Sequence, residues 1–332
     1  MYKAFFKLRR NPFELTPDPS FLFPTRRHNE ALAALYYGVR RRKGFVVLTG
    51  EVGTGKTLLV RCLLQLLKGS NVAFAYSFNS RLSPMEFLQY VTGDFGLPAA
   101  AGKNKSELLL QLGSFLVGRY QQKLTTVLVA DEAHHLSEEV LEEIRLLTNL
   151  ETSQGKLLQI LLVGQPELDE KLDSTELRQL KQRIALRSQL LPLDLEETRG
   201  YILRRLQLSG ADSHGNALFP NETIAAVHRI SRGIPRLINT ICENALISAY
   251  AEQLQSVPPE IIQDVASDFR LNVGAKPRTE GGSGKDGKDG TELWHAVKTL
   301  VELHNQLQSV RPSQEQVPLQ AFSGIRKHEP IV

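Results

Sequence analysis

The chain has 332 residues, a formal net charge of +4, 42% hydrophobic and 23% charged residues. This is enough for two domains, or one large domain with appendages, and the balance is that of an ordinary globular protein with a sizeable core. No apolar run approaches the ~18 residues of a membrane span, Met1–Arg10 lacks the apolar stretch of a secretory leader, and +4 is too mild to imply nucleic acid by itself. Cys62 and Cys242 both fall in apolar helical patterns and read as buried free thiols, which suits a reducing cytoplasm.

Residues 1–25 set Pro12, Pro17, Pro19 and Pro24 among Phe5, Phe6, Phe13, Phe21 and Phe23. Prolines forbid a long helix and the aromatics need burial, so an extended arm clamped onto the following domain is expected. His28 to Arg42 reads as a helix. Residues 1–44 carry ten Lys and Arg against three acids, and the run Arg40, Arg41, Arg42 and Lys43 is either a solvated helix end or a phosphate contact.

Phe45 to Thr49 then reads as a buried parallel strand, followed by Gly50-Glu51-Val52-Gly53-Thr54-Gly55-Lys56-Thr57 and a helix opening at Leu58. Further strands are predicted at 71–78, 125–132, 157–163 and 187–193, alternating with helices at 84–91, 106–120, 137–150 and 167–184. Ser106 is the expected cap of the second of these helices, and the last is expected to break near Asp173. Such alternation specifies a parallel sheet covered on both faces, an α/β P-loop fold. From Asp194 to Leu271 only helices fit, at 195–208, 220–231, 235–253 and 258–270, which predicts a small all-α domain. Residues 273–290 are glycine-rich and read as a flexible linker, 291–310 as an amphipathic helix that docks on the preceding domains, a partner or itself, and 311–332 as disordered.

The strand–loop–helix context is the one a Walker A loop needs. Its glycines let backbone N–H groups face a phosphate, Lys56 would reach the β- and γ-phosphates, and the Thr57 hydroxyl would ligate Mg²⁺. Asp131 and Glu132 end a very apolar strand, where a doubly wound sheet places its ligands and where paired carboxylates are costly without a cation. Asp131 would hold Mg²⁺ through water, and Glu132 would polarise the attacking water. Asp131-Glu132-Ala133-His134 also spells a helicase box. No other helicase motif is recognisable, so His134 and His135 read as surface or helix-entry residues. Gln165, ending the fourth strand, is placed to touch the γ-phosphate or the water. Asn79, ending the second, is placed to hold Glu132 off the water.

The joint occurrence of Phe6, Pro12-Phe13-Glu14-Leu15-Thr16-Pro17-Asp18-Pro19, His28, Ala31-Leu32, Gly44-Phe45, the Walker A loop, Asp131-Glu132, Gly164-Gln165-Pro166-Glu167-Leu168 and Gly233-Ile234-Pro235-Arg236-Leu237-Ile238-Asn239 resembles the ExeA-like AAA+ ATPases, the general secretion pathway protein A family. Close cousins belong to exosortase and exopolysaccharide loci. The match covers about residues 1–271 and implies an AAA+ module: an arm and helix (1–43), an ATPase core (44–193) with strand order 5-1-4-3-2, and a helical lid (194–272). It implies ATP and Mg²⁺ as cofactors, a homo-oligomer with the active site at a subunit interface, and a secretion or envelope protein as partner. The related transposition ATPases of the MuB and TniB type make DNA the alternative partner. By position Arg236 resembles the lid's sensor-2 arginine and Arg183 the arginine finger, with Arg178 as runner-up; the planar guanidinium suits both roles. Longer secretion members carry a transmembrane helix and a peptidoglycan-binding domain. Here a linker, one helix and a tail follow the lid, so a soluble, cytoplasmic chain is expected.

Overall fold

The computed structural model describes residues 2–68, 70–77, 81–98, 104–211 and 215–271. The predicted linker, the helix at 291–310, the tail and Asn79 lie outside the described residues.

Five parallel strands form the central sheet: β1 (Phe45–Gly50), β2 (Ala73–Ser77), β3 (Thr126–Ala130), β4 (Gln159–Gly164) and β5 (Leu186–Leu190). Their order is β2-β3-β4-β1-β5, the 5-1-4-3-2 arrangement of an AAA+ core. The three central strands, β3, β4 and β1, are buried at every position, as near-continuous Val, Ile and Leu runs require when helices cover both faces. Register is fixed by Thr49 opposite Gly164, Ala130 opposite Leu162, and Gly50 opposite Leu190. The carboxyl ends of β1, β3 and β4 therefore reach one edge together. A buried polar group helps to set this register: Gln159 Oε1 accepts the Gly44 N–H at 2.8 Å, tying the start of β4 to the start of β1.

Several local expectations are corrected. The helix over Lys105–Gln121 is capped by Asn104, not Ser106, because only Asn104 stands three residues before an acid that can reach back. Asn104 Oδ1 accepts the Glu107 N–H at 3.0 Å and Glu107 Oε2 accepts the Asn104 N–H at 2.9 Å, a capping box. A two-stranded hairpin, Glu151–Thr152 with Gly155–Lys156, precedes β4 where no strand pair was predicted; its ladders are too short for an alternation signal. The break expected near Asp173 is present: the stretch after Gln165 divides into helices Glu167–Leu172 and Arg178–Lys181.

Beyond Leu193 the described chain is helical: Leu195–Leu208, Gly215–Leu218, Asn221–Ser231, Pro235–Ala251 and Pro259–Asp268. Ile202, Leu206, Val227, Ile238, Ile241 and Leu246 are among its fully buried core. The first half of the N-terminal arm is not clamped onto the domain that follows it. Tyr2, Phe6, Leu8 and Phe13 complete this helical core instead. The ring of Phe13 meets Phe219 edge-on at 5.8 Å, Phe5 meets Tyr250 at 5.4 Å, and the Tyr2 hydroxyl sits 2.8 Å from Glu243 Oε1. The reason is supply of apolar surface: five short helices gain a closed core when the arm's aromatics fill it. Only the second half of the arm reaches the sheet domain, where Arg61 Nη1 donates to Pro17 O at 2.8 Å.

The basic run ends the helix Arg26–Arg40. Arg42 lies over the Tyr120 ring at 4.4 Å and donates to Leu124 O at 3.0 Å, and Lys43 lies 5.6 Å from the Tyr37 ring. Both cysteines are buried and free. Among the described residues no helix is long and apolar enough to cross a membrane.

The arm's role in the helical core predicts that Phe13→Ala lowers stability by about 3–5 kcal/mol, read by chemical denaturation, while Leu15→Ala, at an exposed position, changes it by less than about 0.5 kcal/mol.

Candidate active site

The loop between β1 and its helix Lys56–Leu67 curls because its glycines permit it. Gly53 has φ +82°, and a Cβ there would stand 2.6 Å from Arg236 Cβ, so a side chain is excluded both by conformation and by space. Within the loop the Thr54 hydroxyl donates to Glu51 O at 2.8 Å. Lys56 is buried; its ammonium donates to Gly50 O at 2.7 Å and Glu51 O at 3.0 Å, across the loop's mouth. Burial lowers its pKa, opposed by the negative charges of Glu132 and Asp131.

Asp131 meets this loop from β3. Its Oδ2 accepts from the Thr57 hydroxyl at 3.3 Å and from the Tyr76 hydroxyl at 2.6 Å, and its Oδ1 accepts the Glu132 N–H at 2.9 Å. Burial, then the neighbouring Asp131 charge, push the Tyr76 phenol's pKa up, so it remains a donor. Tyr76 belongs to no sequence motif, yet its hydroxyl bonds to Asp131. Its signal lies in the register, which sets Tyr76 opposite Val129 and Ser77 opposite Ala130, just below Asp131.

Glu132 occupies the left-handed region, φ 52° and ψ 36°, at a cost of about 1–2 kcal/mol for a residue with a Cβ. Strain of this kind at a strand's carboxyl end is typical of functional positions. The following turn, Ala133–His135, corrects the expectation for His134. It does enter a helical turn, but its side chain is 5% exposed and not on the surface. Its Nε2 lies 2.8 Å from Gln165 Nε2 and its Nδ1 3.5 Å from Glu132 Oε2. Burial, then the adjacent His135, lower its pKa, so the ring is neutral near pH 7. Gln165 thus meets the turn after Asp131 through a histidine.

His28 supports the loop from outside. Its Nε2 is 3.2 Å from Thr54 O, an acceptor only, so that nitrogen carries the proton, and Nδ1 accepts from the Thr25 hydroxyl at 2.7 Å. Burial lowers this histidine's pKa as well. Beside it a narrow cleft is lined by Phe23, His28, Gly55, Leu58, Tyr201 and Pro235, from the arm, the loop and the helical domain. The Arg236 N–H donates to Gly53 O at 3.2 Å, which sets the start of helix Pro235–Ala251 on the loop. Arg183 and Arg178 are both exposed, before β5.

The donor set fits a nucleotide with Mg²⁺. A hydroxyl and a carboxylate, both hard oxygen donors, face each other beside an amide-lined loop. Among the described residues no group of three or more His, Cys, Asp or Glu is placed to hold a metal. A cation here would take the rest of its shell from phosphate and water, as Mg²⁺ does in such sites.

Residues 39–172 match a family model described as an AAA domain. Over 251 residues the chain is 44% identical to general secretion pathway protein A of Aeromonas hydrophila, an alignment covering 76% of this chain and 45% of that relative. Over the aligned stretch the chain is similar to the ExeA-like AAA+ ATPases. It spans less than half of the relative's length. Among solved structures it is similar to the ORC2 protein of Aeropyrum pernix in ADPNP and ADP complexes, with a TM-score of 0.58, 18% identity, and 78% of this chain and 71% of that one covered. It is likewise similar to ORC1 of the same organism in complex with DNA, with a TM-score of 0.58, 17% identity, and coverage of 79% and 70%. At these identities the likeness carries the fold: a P-loop sheet followed by a helical domain.

Lys56→Ala in this ExeA-like chain is expected to abolish ATP binding in a calorimetric titration while leaving the circular dichroism spectrum unchanged.

Proposed function

We propose that this chain binds ATP with the triphosphate along the Gly50–Thr57 loop and hydrolyses it to assemble or remodel a secretion or envelope-export system. What supports the enzymatic part is the approach of Thr57 to Asp131 at 3.3 Å, a hydroxyl and a carboxylate suited to a metal beside the loop. Thr57 and Asp131 would hold Mg²⁺, whose role when bound is to neutralise charge on the β- and γ-phosphates. Lys56 has the position to leave its carbonyl partners for the phosphates. Glu132 acts as the base that accepts the proton of the attacking water, and Gln165 contacts the γ-phosphate or that water. Gly50 to Leu58 cradle the phosphates. Arg236, placed on the loop, reaches the γ-phosphate as the helical domain closes.

An arginine finger would come from a neighbouring copy. Arg183 has the exposure for this, with Arg178 as the alternative, and Asn79 is the proposed restraint on Glu132. A finger in trans contributes roughly 10³–10⁵ in rate and makes turnover depend on assembly. The link to secretion rests on the 44% identity to the Aeromonas protein. The DNA-binding alternative is less favoured, because Arg42 and Lys43 are engaged with Tyr120 and Tyr37.

Glu132→Gln is expected to keep ATP affinity within about twofold and to reduce turnover by about 10²-fold or more. Wild-type turnover in that variant would end the assignment of Glu132 as base. Arg183→Ala is expected to bind ATP yet lose turnover, and mixing it with Lys56→Ala should restore part of the activity through hybrid interfaces. No recovery on mixing would count against a finger supplied in trans.

A further inference from the structure

We propose that Tyr76 is a positioning residue for metal binding: its phenol holds the Asp131 carboxylate in place while Thr57 serves the cation. The inference rests on the reading above that Thr57 and Asp131 hold Mg²⁺. Tyr76 stands opposite Val129 in the register of β2 and β3, and Asp131 follows Val129 by two residues. The Asp131 N–H continues the ladder, donating to Ser77 O at 2.8 Å. Side chains two apart along a strand share a face. The phenol and the carboxylate therefore lie on one side of the sheet, the side covered by the helix Lys56–Leu67. Asp131 Oδ2 receives two hydroxyls there, Tyr76 at 2.6 Å and Thr57 at 3.3 Å, while Oδ1 receives the Glu132 N–H at 2.9 Å.

The two hydroxyls differ in what a cation asks of them. The Thr57 oxygen is itself a ligand, so its contact with Oδ2 must adjust as it turns a lone pair to the metal. The Glu132 N–H holds only Oδ1. Tyr76 is the donor that fixes Oδ2 without serving the metal. Outer partners of this kind orient a ligating carboxylate, and losing one costs about 10–100-fold in metal affinity or activity. A tyrosine can do this only if its own backbone is held. β2 is an edge strand, so the outward N–H and C=O of Tyr76 have no strand to pair with. The helix Pro84–Asp94 supplies both partners. Asp94 Oδ2 accepts the Tyr76 N–H at 2.7 Å, and the Tyr90 hydroxyl donates to Tyr76 O at 3.2 Å. Through Tyr76, Oδ2 is tied to an element outside the phosphate loop, and its placement does not depend on the loop alone.

The test measures, on the full chain, the affinity for a non-hydrolysable ATP analogue by calorimetry in EDTA and at rising Mg²⁺, beside ATP turnover against Mg²⁺. Tyr76→Phe keeps the ring and removes only the hydroxyl. It is expected to raise the Mg²⁺ midpoint of both responses about tenfold. Analogue affinity in EDTA should hold, and excess Mg²⁺ should restore turnover. A purely structural tyrosine would instead lower turnover at every Mg²⁺ concentration. A wild-type midpoint would overturn the proposal. So would a lower one, which would make the phenol a competitor of the cation for Oδ2. Tyr90→Phe removes the outer bond to Tyr76 O and should move the midpoint the same way by a smaller factor; it decides if Tyr76→Phe does not fold. Asp131→Ala, measured in parallel, separates the two levels. Loss of the Mg²⁺ response in Asp131→Ala beside a wild-type midpoint in Tyr76→Phe removes only the tyrosine's role, whereas a full response in Asp131→Ala removes the metal reading itself.

Discussion

The site depends on the register of three strands that are buried on both faces. Thr49, Ala130 and Gly164 end at one edge, and the chain that leaves each of them carries Lys56, Asp131 and Gln165 respectively. Strands with no polar face have little in their hydrophobic pattern to select one register over another. Two local features supply the selection. Gln159 pins the start of β4 to Gly44, and a Cβ on Gly50 would stand 2.7 Å from Leu190 O, so only glycine lets β1 leave the sheet beside β5. A slip of one residue between β1 and β4 would take the Gly44 N–H away from the buried Gln159 Oε1, and a buried polar group left unsatisfied costs about 1–3 kcal/mol.

The helical domain is tied to the same loop by close contacts. Arg236 stands where a side chain on Gly53 would be, and a Cβ on Gly233 would stand 1.9 Å from Leu193 O, with φ +73° at that glycine. These positions tolerate no side chain, and the Arg236 N–H bonds to the loop itself. The arm adds a second tie. It begins inside the helical core with Tyr2 and Phe13 and ends at His28, which bonds to the loop carbonyl of Thr54. Arg205 of the helical domain donates to Pro12 O at 2.6 Å and lies over Phe21, so the arm is held along its length. Movement of the helical domain relative to the loop must therefore stretch the arm as well as break the contact at Gly53, which couples domain motion to the phosphate site from two sides.

What was legible in the sequence was what short range determines. The loop, its strand and its helix lie within about twenty residues of each other, and the apolar run before Asp131 announces a central strand. The order of the sheet followed from family resemblance, not from the residues. What remained hidden was set by contacts distant in sequence. The destination of the arm depends on pairs such as Tyr2 with Glu243, separated by 241 positions. Tyr76 gains meaning only once β2 is known to pair with β3. Ser106 misled because Ser is a good cap in isolation, whereas Asn104 has a reciprocal acid at the right distance.

His134 shows the same limit in its sharpest form. The letters Asp-Glu-Ala-His made it visible, and discarding the helicase reading made it look incidental. The structure instead encloses it between Glu132 and Gln165, which come from neighbouring strands and are 33 positions apart. The strain at Glu132 belongs to this arrangement. Its left-handed backbone turns the chain sharply enough for the next helical turn to bring His134 back beside the Glu132 side chain, and the Glu132 N–H bonded to Asp131 offsets part of that cost. An extended residue at Glu132 would carry the chain away from the sheet edge and leave Gln165 without a neighbour. The strained residue, the enclosed ring and the polar end of β4 thus form one unit.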